Sequence, residues 1–146
     1  MKALIQRVAS ASVHIAGEHK ASIGRGMLVF LGVLKGDAET DATWLANKVV
    51  NHRIFPDEHS SMNESIQDAG GEVLVISQFT LAATSKKGNR PDFAQAEHPV
   101  RAEELYQHFV REMKRLHKKV ETGVFGANMQ VTLINDGPVT ILISSS

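Results

Sequence analysis

LINDGPVTILIS, residues 133–144, sets two apolar, β-branched runs on either side of Asp136, Gly137 and Pro138. The fold of the C-terminal third turns on how that join is read. Asp-Gly between alternating apolar residues is a strong hairpin signal, which predicts a tight turn between two strands. Pro138 fits that reading badly. Proline has no N–H to give to a ladder, and a strand interior rejects it. A cis Gly137-Pro138 bond would accommodate it, since cis peptides belong to proline and to tight bends. The residues alone leave both readings open.

Outward from this join, the rest of the chain alternates strands and helices. Residues 3–15 (ALIQRVASASVHI) alternate loosely and predict a strand, AGEH (16–19) a turn, and KASIGRG a short return strand and turn. The glycines of GRG precede a strand instead of opening a helix, and hairpin geometry is the expectation for them. MLVFLGVL (27–34) and EVLVISQFTL (72–81) are apolar on both faces, as buried central strands are. A helix is predicted over 40–53, capped by Asp37 or Thr40. Residues 56–71 predict a polar loop with at most one short strand.

The second helix, 99–118, is the clearest local element. Pro99 suits its first position, and Ala102, Leu105, Tyr106, Phe109, Val110, Met113 and Leu116 recur at three and four residues. Glu103 and Glu104 near its start, and Lys114, Arg115, Lys118 and Lys119 near its end, both favour the helix dipole. Two or three strands close the chain. With no repeat, linker or low-complexity tract, residues 1–146 predict one α+β domain. Its core is expected to be a mainly antiparallel, barrel-like β-sheet with two main helices packed on it.

Composition narrows the function. There is no cysteine, so disulfides, thiolate nucleophiles and sulfur metal sites drop out together. The N-terminus MKALIQRVAS has Gln6 and Arg7 inside its short apolar stretch and is no signal peptide. MLVFLGVL is too short to span a bilayer. A cytoplasmic location away from membranes is expected. Lys plus Arg and Asp plus Glu both number 16, so there is no basic excess to wrap a long nucleic-acid backbone, and no DNA partner is expected. Seven histidines (14, 19, 52, 59, 98, 108 and 117) include no metal-binding spacing, and neither a metal nor a cofactor is expected.

No nucleophile elbow, Walker loop or dinucleotide fingerprint is present. Four pieces remain. Ser77, Gln78, Phe79 and Thr80 cluster polar groups around one aromatic at the end of a buried strand; a strand end satisfying its own backbone, with Phe79 in the core, explains them equally. Lys86, Lys87 and Arg90 form a local basic loop, either merely solvated or a phosphate contact. Phe125 and Met129 in FGANM flank two small residues, either as core packing or as an apolar slot for a flat ring. NDGPVT (135–140) is the join itself.

Taken in order, SQFTL (77–81), RPDF (90–93), FGANM (125–129) and NDGPVT, in a chain that runs from MKALIQRV to GPVTILI, resemble the D-aminoacyl-tRNA deacylases. These are homodimeric chiral-proofreading enzymes, and the likeness covers essentially the whole chain. The resemblance implies a deacylase-like fold and hydrolysis of the ester of D-aminoacyl-tRNA, with glycyl-tRNA cleaved as well. It implies an active site at Ser77, Gln78, Phe79 and Thr80, and a Gly137-cis-Pro138 motif that crosses to the partner's pocket and rejects L-aminoacyl esters. Arg7 would support that motif, and Phe125 and Met129 would hold the terminal adenosine of the tRNA. The partners implied are a second copy of the chain and the aminoacylated 3′ end of tRNA. Three rivals stand beside it. They are a non-catalytic nucleic-acid-binding module, a purely structural dimer, and a hydrolase of other D-amino-acid esters.

Overall fold

The computed structural model describes all 146 residues. Its elements run β1 (Lys2–Ile15), β2 (Glu18–Ile23), β3 (Gly26–Gly32), α1 (Glu39–Asn51), α2 (Ile66–Ala69), β4 (Glu72–Ser77), a 3₁₀ turn (Phe79–Ala82), α3 (Pro99–Leu116), β5 (Val120–Thr122) and β6 (Gln130–Ser144). One sheet holds all six strands in the order β2-β1-β3-β4-β5, with β6 on the other side of β1.

The sheet is mixed, with antiparallel pairing in the majority, as expected. β3–β4 and β4–β5 are parallel, whereas β1 pairs antiparallel with β2, β3 and β6. Parallel neighbours need a crossover of a dozen or more residues. The two long connections, carrying α1 with α2 and then α3, supply it on one face of the sheet.

That face forms the larger core, where Val29, Val73 and Val75 meet Leu45 and Val49 of α1 and Leu105, Phe109 and Met113 of α3. Each such side chain stabilises the fold by roughly 1.5–3 kcal/mol when fully buried. A second cluster lies on the opposite face, where the sheet curls so that Val8, Val13, Ala21 and Ile23 meet Leu28, Leu74 and Ile76. The alternation within β3 and β4 explains why both strands are apolar on both sides.

The glycines before β3 make no hairpin. β2 and β3 both run antiparallel to β1, so they lie end to end in one direction, and the chain only steps across Gly24 and Arg25. The reason for glycine at 26 is β4. A Cβ there would stand 1.8 Å from the Glu72 carbonyl oxygen. Helix α1 likewise differs at its start. Ala38 is the N-cap, and Asp41 Oδ2 accepts from its N–H at 2.8 Å. Asp37 is occupied elsewhere, bonding the N-terminal ammonium and the Leu34 N–H. The expected loop 56–71 contains α2, whose N-cap Ser65 accepts from Asp68 N–H, and a bridge between Phe55 and Glu64.

The C-terminal join is neither a hairpin nor a plain strand. β6 runs as a single element along the whole of β1. Val8 pairs with Asn135 and Gln6 with Thr140, so one residue of β1, Arg7, faces the four residues 136–139 of β6. Three surplus residues bulge from the ladder. An odd surplus reverses which face the following side chains present. Val131 and Leu133 therefore pack on the second cluster, while Val139, Ile141 and Ile143 pack on the helix-side core. The Gly137-Pro138 peptide within the bulge is cis, and Gly137 has φ +139°.

Tyr106 is buried in the helix-side core and donates to the Val75 carbonyl at 3.3 Å. Burial pushes its phenol up to about 12. Below pH 10 the phenol is neutral folded or unfolded. Between pH 10 and 12 the unfolded chain ionises first, so stability falls across that window by about 2–3 kcal/mol. In Tyr106→Phe this part of the alkaline loss is expected to vanish. Denaturant unfolding of both proteins at pH 9 and pH 11.5 checks it.

Candidate active site

The candidate site forms where β3 and β4 run out. Gln78 N–H bonds Leu31 O at 2.7 Å, the last contact between the two strands' ends. Beyond it β4 has no neighbour, and the chain turns into the 3₁₀ segment. The strand predicted to 81 thus ends at Ser77, and the polar cluster falls on the turn. Leu81 N–H bonds Gln78 O and Ala83 N–H bonds Thr80 O, which closes the turn. The N–H groups of Phe79 and Thr80 open the 3₁₀ segment and so have no partner within it. Donors of this kind are normal at the first turn of a helical segment, and two adjacent ones suit an anion or a developing oxyanion.

A cavity of about 680 Å³ opens beside this turn. Ser77, Gln78 and Phe79 line one side, and Phe125 and Met129 line another. Phe79 is 60% exposed, outside the core, with its ring edge-on to Phe93 at 5.1 Å. Phe125 rests on Tyr106 at 5.6 Å between ring centres. Gly126, at φ +77°, turns the chain behind it. Met129 folds over Gly123, where a Cβ would stand 2.6 Å from its sulfur. Apolar walls with a few convergent polar groups are the usual build of a small-molecule site, and the volume lies in the usual range.

Thr80 is exposed and does not line the cavity. Its Oγ1 accepts from Gln78 Nε2, and no histidine or lysine bonds it. Lys86, Lys87 and Arg90 are exposed and stand apart from the cavity. They occupy a loop closed by paired hydrogen bonds between Thr84 and Asp92. Gly137 and Pro138 are exposed and line no part of this chain's cavity.

Arg7 is only 8% exposed and sits under the bulge of β6. Its Nε donates to the Asp136 carbonyl at 2.9 Å, and its Nη1 donates to the Ile54 carbonyl at 2.7 Å. A guanidinium has enough fixed donors to tie the bulge to the segment after α1 in this way.

Phe93, the last residue of RPDF, also lines the cavity, as do Lys35, Glu97 and His98, which sequence reasoning missed. A bridge between Leu34 and Ala96 brings their two segments together. No periodicity or motif announces a pairing of isolated loop residues. Four other histidines have partners: His108 with Thr43 Oγ1, His117 with the Gly71 carbonyl, and His14 edge-on to His19. No helix is long and apolar enough to cross a membrane.

With this geometry in hand, similarity to known proteins becomes informative. The model of the D-Tyr-tRNA(Tyr) deacylase family matches residues 4–144. A D-aminoacyl-tRNA deacylase of Cytophaga hutchinsonii is 53% identical over 146 residues, covering 99% of this chain and 97% of that one. One from Bacteroides thetaiotaomicron is 51% identical with the same coverage. Among solved structures, a protein titled c-Myc DNA Unwinding Element Binding Protein superposes with TM-score 0.95 at 40% identity, over 100% of this chain and 99% of that one. A probable eukaryotic D-amino acid tRNA deacylase shares the fold, with TM-score 0.86 at 15% identity and 97% coverage of each. The α+β sheet with its cavity at the strand ends is that of an enzyme, a hydrolase acting on ester bonds. The chain belongs to the D-Tyr-tRNA(Tyr) deacylase family.

Proposed function

We propose that this protein hydrolyses the ester of D-aminoacyl-tRNA, releasing the D-amino acid and free tRNA, and rejects the L-aminoacyl ester. The observation that carries the proposal is the pair of N–H groups on Phe79 and Thr80 at the start of the 3₁₀ turn, beside an apolar cavity walled by Phe125 and Met129. The terminal adenine lies against Phe125 and Met129, and its aminoacyl ester reaches the 77–80 turn. Water attacks the ester carbonyl carbon. The resulting oxyanion takes hydrogen bonds from the two N–H groups, and the ribose oxygen leaves with a proton. Thr80 lacks an adjacent base, so it acts as a positioning group rather than a nucleophile. The neighbouring ribose hydroxyl orients the water. Near-normal turnover in Thr80→Ala would exclude nucleophilic attack by Thr80.

Chiral rejection falls to Gly137 and Pro138 of a second copy. Their bulge is exposed and outside their own cavity, as a motif donated to a partner must be. The face that would meet the partner is apolar. Leu4 pairs with Phe30 on one side and Leu142 on the other, on the sheet face away from the helices, and Phe30 continues into the cavity. Leu142 is 54% exposed in the single chain. A main-chain wall at the α-carbon clashes with an L side chain and admits a D side chain. Glycine, having no side chain, passes the wall, so glycyl-tRNA is also cleaved. Zero net charge suits an enzyme that grips only the acceptor end of tRNA in the cytoplasm.

The deciding experiment offers D- and L-tyrosyl-tRNA to the purified protein and follows amino-acid release, beside a binding assay with plain RNA. Release of D-tyrosine alone is expected. Binding of RNA with no release of either amino acid would replace the enzyme by a non-catalytic binding module.

Gly32→Ala gives a local check on the turn. A Cβ there would stand 2.9 Å from Leu81 Cβ and 3.0 Å from the Gln78 carbonyl oxygen, so it pushes the turn that carries both donors. Misplacement on the ångström scale costs on the order of 100-fold in rate. A folded Gly32→Ala protein with turnover reduced about 10- to 100-fold is expected, measured by single-turnover deacylation beside circular dichroism.

A further inference from the structure

We infer that Lys35 holds the 5′-phosphate of the terminal nucleotide, a phosphate-binding role within the proposed deacylase site. The inference rests on that functional reading and adds a residue to it. The substrate's aminoacyl-adenosine end carries one cation, the α-ammonium, and one anion, the phosphodiester on the ribose 5′ oxygen. The cavity lining carries one carboxylate, Glu97, and one ammonium, Lys35.

Lys35 is free for the task. It is exposed at the cavity rim and forms no ion pair, whereas Arg101 is engaged with Glu39 and Glu104, and Arg115 with Glu112. Asp37, two residues on, is held by the N-terminal ammonium. Glu97 shares the rim, and its Oε1 accepts from the His98 N–H at 2.7 Å, which fixes that carboxylate on the backbone. The root of the lysine is fixed too, because its N–H bonds Gln95 O at 2.9 Å beside the bridge of Leu34 with Ala96.

A lysine on a flexible stem binds phosphate as a point charge and needs no exact fork geometry. Lys86, Lys87 and Arg90, the cations that sequence suggested for phosphate, line no part of the cavity. A phosphate one bond beyond the ribose must leave the cavity by its rim, and Lys35 is the lysine or arginine there.

The test uses two minimal esters, the 3′-D-tyrosyl ester of adenosine and the same ester of adenosine 5′-monophosphate, with wild type, Lys35→Ala, Lys35→Arg and the triple variant Lys86→Ala, Lys87→Ala, Arg90→Ala. Lys35→Ala is expected to raise KM for the phosphorylated ester about five- to tenfold while leaving kcat and the unphosphorylated ester unchanged. Lys35→Arg restores the KM, and the triple variant leaves both esters unaffected. Equal losses on both esters, or none on either, would overturn the role of Lys35. A wild-type protein that cleaves neither ester nor D-tyrosyl-tRNA would overturn the functional reading itself.

Discussion

Gly26→Ala is expected to destabilise the protein by at least about 3 kcal/mol, the largest stability effect of any glycine-to-alanine change in this chain. The added Cβ meets the Glu72 carbonyl oxygen at 1.8 Å and the Glu72 carbonyl carbon and nitrogen at 2.7 Å. All three are backbone atoms, so no rotamer change relieves the overlap. Gly26 pairs with Glu72 at the first rung of the parallel β3–β4 ladder. Relief requires separating two strands that carry both cores. For a chain of this length the loss corresponds to a Tm drop of roughly 6–12 °C. Thermal unfolding of the two proteins measures it. Gly17 and Gly36, with open space where a Cβ would stand, mark the contrast. Alanine there meets only backbone strain from positive φ, of about 1 kcal/mol.

Arg7→Met carries the largest expected effect on specificity. Methionine keeps the length of the side chain and removes every donor. The buried Ile54 carbonyl and the Asp136 carbonyl each lose a charged partner. An unsatisfied buried acceptor costs about 1–3 kcal/mol, so a total near 3 kcal/mol is expected. The loss falls on the bulge, because β1 offers residues 136–139 no other support than Arg7. On the proposed function, the D-over-L ratio of tyrosyl-tRNA cleavage drops at least about tenfold, the equivalent of 1.4 kcal/mol in discrimination. Paired deacylation rates with D- and L-tyrosyl-tRNA measure the ratio, and denaturant unfolding measures the stability. A protein that loses stability yet keeps its full ratio would show that the bulge does not select substrates.

The two variants probe features that differ in how plainly the sequence announces them. The amphipathic helix over 99–118 was legible almost to the residue, because its apolar face repeats at helical spacing and Pro99 marks its start; the structure ends it at Leu116. The strands β3 and β4 were legible from their continuous apolar runs. Their parallel pairing was not, because strand direction depends on what the crossover helices do in space. The polar turn at 77–80 was visible as a cluster, but its position outside the ladder depended on where β3 ends. Phe125 and Met129 were visible as a candidate slot. Lys35, Glu97 and His98 were not, since only an isolated bridge between loops unites them.

The amino-acid order by itself determined the local elements: which stretches are strand or helix, which faces are apolar, and that an Asp-Gly-Pro interruption must sit between two strand-forming runs. These follow from short-range periodicity and backbone sterics. Only the tertiary structure decided that the interruption is a bulge in one strand instead of a turn between two. That outcome depends on β1, a partner more than a hundred residues away, whose Arg7 fills the gap and whose ladder resumes beyond it. Register and pairing direction are set by such distant partners, because backbone hydrogen bonds must be satisfied across the sheet whatever the local sequence prefers.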